Sequence, residues 1–526
     1  PKTIRLLQIL PDRVNGLLTC RIRCVDLDTA STPRYDALSY TWKQDKDNGG
    51  NSNETNKDIV CNNARLSVEV NLFNCLKQLE KNGRHYDRDL WVDAICIDQG
   101  DEAERSQQVS IMADIYKLAE CVIVWLGTAK EFTPKALELI ECLSQLGRDD
   151  MLTINPQAFD DIHNKELLGG SNSPEHWGAL AWLFGRRWFT RAWVEHPLDH
   201  IDGRSLPYKN PAKLDAIKRD IRANANNTFL YTLVRCRIYD AQEKHDKVYS
   251  FLGLLNSQAP GHLGLYPDYQ ESVAKLYTDV AKYILRTSED LHVLAHAEGD
   301  RFRETEGLPT WVPDWSVRKD LGLRITGYAR YNAAGTLPCF YEIKDGDKLG
   351  LRGFKLEIIT RIGETKEEVN NTKDCKDWLD LRDELQREYP STNVKDAFWR
   401  TLLIDTDTSR AVPIKQPWEN AFDIWMGLCD FEPSKTDKQK AVQYETSFTH
   451  SLHLRLFRTA QGHLGCGTSS CKEGDLIWIV QGSRIPLILR PAPHTATYEL
   501  VGGTYLHGFM QGEALNGREF EKFTLV

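Results

Sequence analysis

No apolar run in the 526-residue sequence is longer than a strand. The longest strongly apolar stretches, Cys121–Gly127 and Leu476–Val480, fall far short of the roughly 20 residues that cross a bilayer as a helix. The first residues, PKTIRLLQILP, hold too short an apolar run for a signal peptide. The expectation is a cytoplasmic protein with no membrane partner. Paired metal-ligand spacings are also missing. Thirteen cysteines, an odd number, run from Cys20 to Cys471 without a CxxC pair or a Cys/His cluster of zinc-finger spacing, so free thiols in a reducing compartment and no metal are expected. There is no excess of positive charge: 66 Lys+Arg against 75 Asp+Glu leave a net charge of −9. Dispersed cations on an acidic chain give no footprint for a phosphate backbone, so nucleic acid is not an expected partner. GxxxxGK[ST], GxSxG and HExxH motifs are absent as well, which removes kinase, α/β-hydrolase and zincin readings. What the chain has in quantity is aromatic residues, 14 Trp and 19 Tyr among them.

The organisation read from periodicity is α/β, with three regions. Ile4–Leu10, Leu17–Val25 and Tyr35–Trp42 read as strands, and the Asn-, Asp-, Gly- and Lys-rich tract Lys43–Asn56 as a loop. Leu90–Ile97 (LWVDAICI) is a run of strand length. Asp98-Gln99-Gly100 turns the chain, and Asp101 with Glu104 signals a helix start. Val109, Met112, Tyr116 and Ala119 recur at helical spacing, joined by Ile111, Ile115 and Leu118. Cys121–Gly127 then reads as a second strand. Strand, helix, strand in so short a span is a βαβ unit, which implies a parallel sheet flanked by helices. Ligands bind such sheets beyond the carboxyl ends of the strands, here Tyr40–Lys43 and Asp98–Gln99. Residues 131–200 suggest helices closing on Trp177, Trp182, Trp188 and Trp193. Within 201–330, Glu271–Leu285 is the clearest amphipathic stretch, and Leu308–Ser316 (LPTWVPDWS) suits a packed irregular segment. Residues 331–526 mix strands and helices and end in a meander: Asp475–Val480, Ile485–Arg490, Tyr498–His507. The expected division is 1–200, 201–330 and a β-rich 331–526.

Several blocks together resemble a known family. Tyr35–Trp42 (YDALSYTW), Leu90–Gln99, Glu104–Tyr116, Val124–Gly127 (VWLG), Arg187–Val194 (RWFTRAWV), Asp246–Leu254 (DKVYSFLGL) and Leu308–Ser316 are similar to the fungal heterokaryon-incompatibility (HET) domain proteins. Phe457–Gly465, Glu473–Asp475 and Tyr505–Leu515 are similar to the tail of long HET proteins. The resemblance implies a TIR-like fold and a role in the death that follows fusion of genetically different hyphae, and it raises the cleavage of NAD. In the family the matching block reads tryptophan, two residues, glutamine, glutamate. This chain has Trp193-Val194-Glu195-His196-Pro197, with proline, which cannot ionise, where the glutamate belongs. The first block normally ends in tryptophan-glycine, but here it is Trp42-Lys43. Glu195 sits two residues out of register, which turns it about 200° away on a helix. Weak or absent NAD cleavage, through a degenerate site, is the expectation.

These departures leave three readings. A HET signalling effector is one. A second is an enzyme of secondary metabolism that reuses the pocket, since the resemblance extends to a HET-like protein recruited to terpenoid biosynthesis as a cofactor-free pericyclase (Diels–Alderase). Such [4+2] chemistry needs an aromatic-lined cavity and one donor to an unsaturated carbonyl. Trp42, Trp188 and Trp193, with Asp98, Gln99 and Glu195, are the candidate binding residues for a small apolar, terpenoid-like substrate, and His196, Lys43, Tyr40 and Arg191 the candidate donors. No cofactor is needed. The third is a scaffold with a vestigial pocket. The enzyme is the leading expectation by a small margin. Each residue also has a structural reading: tryptophans as core, Asp98 as a cap of the following helix, Arg105 and Arg191 as ion-pair partners of Asp93 or Asp98, His196 as a helix-end surface residue and Tyr40 as a buried hydrogen-bonding group.

Overall fold

A computed structural model describes residues 2–27, 33–42, 56–83, 86–147, 150, 154, 159–190, 228–238, 241, 243–252, 265–288, 290–319, 321–323, 328, 330–390, 393–406, 413–414, 418 and 420–526. Two compact units emerge. Pro1–Asn224, Tyr239–Asn256 and Tyr266–Gln270 form the first, and Ala225–Ile238, Ser257–Leu265 and Glu271–Val526 the second.

The first unit is built on a seven-stranded sheet of order β5-β4-β2-β1-β6-β3-β7. Its strands are β1 (Thr3–Val14), β2 (Leu17–Asp26), β3 (Tyr35–Ser39), β4 (Lys57–Cys61), β5 (Ala64–Val68), β6 (Asp89–Trp91) and β7 (Cys121–Val124). Asn15 and Gly16, with φ of 54° and 77°, turn β1 back on β2, because positive φ at both positions is what a tight hairpin with the right twist requires. That hairpin makes the sheet mixed. β3 is parallel to β6 and β7, and β2 to β4, while β1–β2, β1–β6 and β4–β5 are antiparallel. The parallel sheet expected from the βαβ unit is found in β6-β3-β7 and again in the β2–β4 pair, within a sheet that is mixed overall.

Helices cover the sheet. α1 (Val70–Asn82) buries Leu72, Cys75, Leu76 and Leu79 at helical spacing and ends at Gly83, whose φ of 64° is the left-handed stop of a helix. Burying those four side chains contributes on the order of 8 kcal/mol. The expected strand Leu90–Ile97 stops early, at Trp91. Asp93 opens the single turn α2 (Asp93–Cys96), its carboxylate accepting the Ala94 N–H at 2.7 Å while the Val92 carbonyl accepts from Ile95 and Cys96. Local side-chain to backbone bonding here outcompetes the strand ladder. α3 (Glu102–Leu118) starts where expected, on Asp101, whose side chain accepts from the N–H groups of Ala103 and Glu104. The Glu104 carboxylate accepts the Asp98 N–H at 2.9 Å and pairs with Arg5. α4 (Thr133–Ser144), α5 (Ile162–Leu168) and α6 (Pro174–Phe184) follow.

The second unit opens on α7 (Thr228–Cys236); the one-turn α8 (Asp246–Tyr249) returns to the first unit, and α9 (Val273–Ser288) follows in the second. The LPTWVPDWS segment is irregular but lies in the core: Trp311 and Trp315 are fully buried, and the Asp314 carboxylate gathers the N–H groups of Glu304, Thr305 and Ser316. β8 (Tyr341–Lys344) pairs with the 18-residue β9 (Lys348–Thr365). α10 (Lys366–Thr372), α11 (Lys376–Glu388), α12 (Val394–Leu402), α13 (Ala421–Met426) and α14 (Lys435–Phe448) come between β9 and the closing strands. These are β10 (Leu454–Thr459), β11 (Leu464–Thr468), β12 (Leu476–Val480), β13 (Leu487–Pro491), β14 (Tyr498–Leu506) and β15 (Glu521–Leu525).

The three expected meander strands are three staves of a barrel. β10 pairs with β11, β11 with β14, β14 with β13, β13 with β12, β12 with β9, and β9 again with β10, all antiparallel. The ring closes because β9 is long enough to pair with β12 through Gly353–Ile358 and then with β10 through Ile359–Thr365, bent at register shifts beside Phe457 and Trp478. Ile359, Phe457, Ile477, Ile488, Val501 and Leu506, from five staves, form one apolar cluster. A helical layer with Trp378, Trp399, Trp418, Tyr444 and Phe448 packs on Leu456 and Leu464 of β10 and β11.

Candidate binding site at the strand ends

The parallel strands β6, β3 and β7 bring their carboxyl ends to one edge of the sheet. Residues just past those ends meet through a set of directed hydrogen bonds. Trp42, beyond β3, donates its indole N–H to Asp93 Oδ2 at 3.0 Å, beyond β6. Gln99 donates to the Asp93 carbonyl at 3.0 Å. Asn71, in the first turn of α1, donates to the Thr41 carbonyl at 2.6 Å and accepts the Trp125 indole N–H at 3.0 Å, joining β3 to the residue that follows β7. Trp188 donates to Ser39 Oγ at 3.1 Å. The rings of Trp42, Trp125 and Trp188 are half-buried, while Tyr40 is 1% exposed. The arrangement therefore gathers three half-buried tryptophans, their N–H donors already satisfied, around one carboxylate and two carboxamides.

Of the residues expected from sequence, Trp42, Gln99, Trp188 and Tyr40 belong to this edge. Asp98 does not join it: it is exposed, and its carboxylate accepts the Gly100 N–H at 3.0 Å, a turn contact rather than the helix cap, which is Asp101. Lys43, Arg191, Trp193, Glu195 and His196 lie outside the described residues, as does Pro197. Arg105, expected to pair with Asp93 or Asp98, instead lies over the Tyr269 ring at 4.0 Å. Tyr269 donates to Asp246 Oδ1 at 2.6 Å, so the DKVYSFLGL block is tied to α3 through this stack. Burial, followed by the Asp246 carboxylate, pushes the Tyr269 phenol up. Asn71 and the bonding role of Asp93 were not read from sequence. A signal for Asn71 exists: it occupies the stripe of Leu72, Cys75, Leu76 and Leu79, and a polar residue on a buried stripe needs partners.

The fold so described is an α/β domain whose parallel strands end at one hydrogen-bonded edge, joined in one chain to a unit closed by a β-barrel. Residues 35–195 match the family model described as heterokaryon incompatibility protein (HET), and residues 430–526 match the Het-6 β-barrel domain. The chain is 25% identical to heterokaryon incompatibility protein 6, OR allele, of Neurospora crassa, over 94% of this chain and 92% of that protein. The chain is thus similar to HET proteins over residues 35–195 and to the Het-6 barrel over residues 430–526. The barrel match begins at residue 430, but the ring of strands also uses β9, from 348–365. No solved structure matches the chain. Among the described residues no helix is long and apolar enough to cross a membrane, and no group of His, Cys, Asp and Glu side chains is arranged to hold a metal ion.

Proposed function

We propose that the protein is an effector of heterokaryon incompatibility, acting in the cytoplasm when genetically different cells fuse. The observation that carries this reading is a likeness to a heterokaryon incompatibility protein that runs through both the HET domain and the barrel. In this reading the strand-end edge is where the effector meets a small molecule. Indole faces whose N–H groups are spent on Ser39, Asp93 and Asn71 offer stacking area without free donors, which suits a flat or apolar ligand.

A cofactor-independent pericyclase would use the same faces. It would also need a donor placed at the substrate carbonyl, and the comparisons support the effector instead. Deletion of the gene in one of two incompatible strains tests the proposal. The expected result is that fused cells survive and mix. Death of the fused cells at an unchanged rate after deletion would contradict it, and conversion of a polyene substrate by the purified protein would favour the pericyclase.

A further inference from the structure

Two cysteines of the first unit face each other across neighbouring strands. Cys20 of β2 is the register partner of Cys61 of β4, and both are buried free thiols. Register partners in a parallel pair point to the same face of the sheet and stand about 4.8 Å apart at their Cα atoms, inside the 4.4–6.8 Å span that a disulfide bridges without moving backbone. We propose that Cys20 and Cys61 are a redox pair that hydrogen peroxide converts to a disulfide linking β2 to β4.

The chemistry divides unequally between the two. Cys20 holds a hydrogen bond to Cys61 that lowers the Cys61 thiol and raises its own, and Cys61 is the more exposed of the two, 7% against 1%. Cys61 is therefore the attacking thiolate. It takes one oxygen from peroxide as the O–O bond breaks, giving a sulfenic acid and water. The Cys20 sulfur then attacks that sulfenic sulfur, the S–S bond forms, and a second water leaves. Two thiols lose two hydrogens and two electrons, and one peroxide becomes two waters. Cys96, the nearest competitor, has its sulfur accepting the Val92 N–H at 3.4 Å.

Position gives the bond a consequence. β4 and β5 form the edge hairpin of the sheet, joined to β2 by the register pairs Thr19↔Val60 and Cys20↔Cys61 and by Asn62, whose N–H reaches the Cys20 carbonyl at 3.2 Å and whose carboxamide bonds the Ile22 backbone at 3.0 Å. So short a ladder at an edge opens more readily than the core, which admits a small oxidant. β5 leads directly into α1, where Asn71 holds Thr41 and Trp125 at the strand ends. A staple between β2 and β4 thus stiffens the support of that edge.

The test is peptide mapping of the full chain after millimolar hydrogen peroxide, with trypsin and without reductant. The expected product is the peptide 14–21 linked to 58–65, lighter by two hydrogens, absent after dithiothreitol and absent from Cys61→Ser. Oxidised protein should also melt about 5 °C above the reduced form, and Cys61→Ser should show no such shift. Oxidation of the exposed Cys24 and Cys121 with no 14–21/58–65 link, or a link from Cys61 to the Cys96 peptide 89–105, overturns the proposal.

Discussion

Trp42 and Asp93 join the ends of two parallel strands: the indole N–H of the residue that ends the YDALSYTW block is held at 3.0 Å by the carboxylate that opens α2. The same carboxylate also takes the Ala94 N–H, so one side chain both breaks the β6 ladder and orients the aromatic wall. Removing it leaves two donors without their acceptor. Asp93→Ala is expected to cost about 3 kcal/mol, since hydrogen bonds to a charged group contribute about 1.5–3 kcal/mol each and do not add fully. Asp93→Asn, which keeps an acceptor oxygen, should cost about 1 kcal/mol. Urea unfolding followed by tryptophan fluorescence measures both, and equal losses would show that the charge and not the acceptor matters.

Asn71 is 6% exposed and bonds to Thr41 with its donor end and Trp125 with its acceptor end. Asn71→Ala is expected to destabilise by about 2–3 kcal/mol, the cost of orphaning buried partners. Asn71→Leu should be no better, because the orphaned groups are the Thr41 carbonyl and the Trp125 N–H whatever fills the space. A leucine variant of native stability, measured in the same urea series, would mean that water replaces the carboxamide.

In the barrel, Phe457 of β10 lies over its register partner Gly465 of β11. A Cβ at 465 would stand 2.2 Å from Phe457 Cζ, and Phe457 is fully buried. Gly465→Ala is expected to cost about 3 kcal/mol by overpacking. In a Phe457→Ala background the same substitution should cost less than about 1 kcal/mol, a coupling that a double-mutant cycle reads directly.

Glu298 sits in the second unit beneath Gly322, whose N–H it accepts at 2.9 Å, with His453 Nε2 3.7 Å away. Burial pushes Glu298 up from 4.5 to about 7 against the pull of Thr468, Arg237 and Gly322. Between those two pH values the folded state holds a proton that the unfolded state has released, so stability falls as pH rises through the window, by about 3 kcal/mol in all. His296 and His453 run the other way. Burial holds both down at about 3, and each removes stability as pH falls below 6.5. Glu298→Gln deletes only the first effect. Relative to the native chain it should gain about 2 kcal/mol between pH 5.5 and pH 8. A pH-independent difference in unfolding free energy would show that Glu298 stays ionised throughout.

Periodicity was enough to find β1, β2 and α3, because each buries one face and, as with Asp101 at the head of α3, carries a boundary signal, whereas β3, buried on both faces, and β7, largely exposed, were legible only as short apolar runs. It failed at Leu90–Ile97, where an apolar run looks continuous although Asp93 turns it into helix, and at β9, whose role is set by partners as far away as Leu476 and Phe457. Closure of a barrel is a long-range property that no window of sequence contains. The aromatic surplus had two destinations. Trp91, Trp311, Trp315, Trp378 and Trp399 are fully buried packing residues, whereas Trp42 and Trp188 reach the strand edge. Asn71 stayed hidden because its partners, Thr41 and Trp125, are brought to it only by the parallel pairing of β3 with β7.

On the proposed function, incompatibility activity runs through the Trp42–Asp93 edge. Survival of fused cells carrying Asp93→Asn, or Trp42→Phe, which deletes the indole donor, measures it most directly, with each purified variant first confirmed as folded by its urea transition. Survival is predicted to rise toward that of the deletion strain for both variants. Killing at the native rate by both folded variants would contradict the claim and place the activity away from the strand ends.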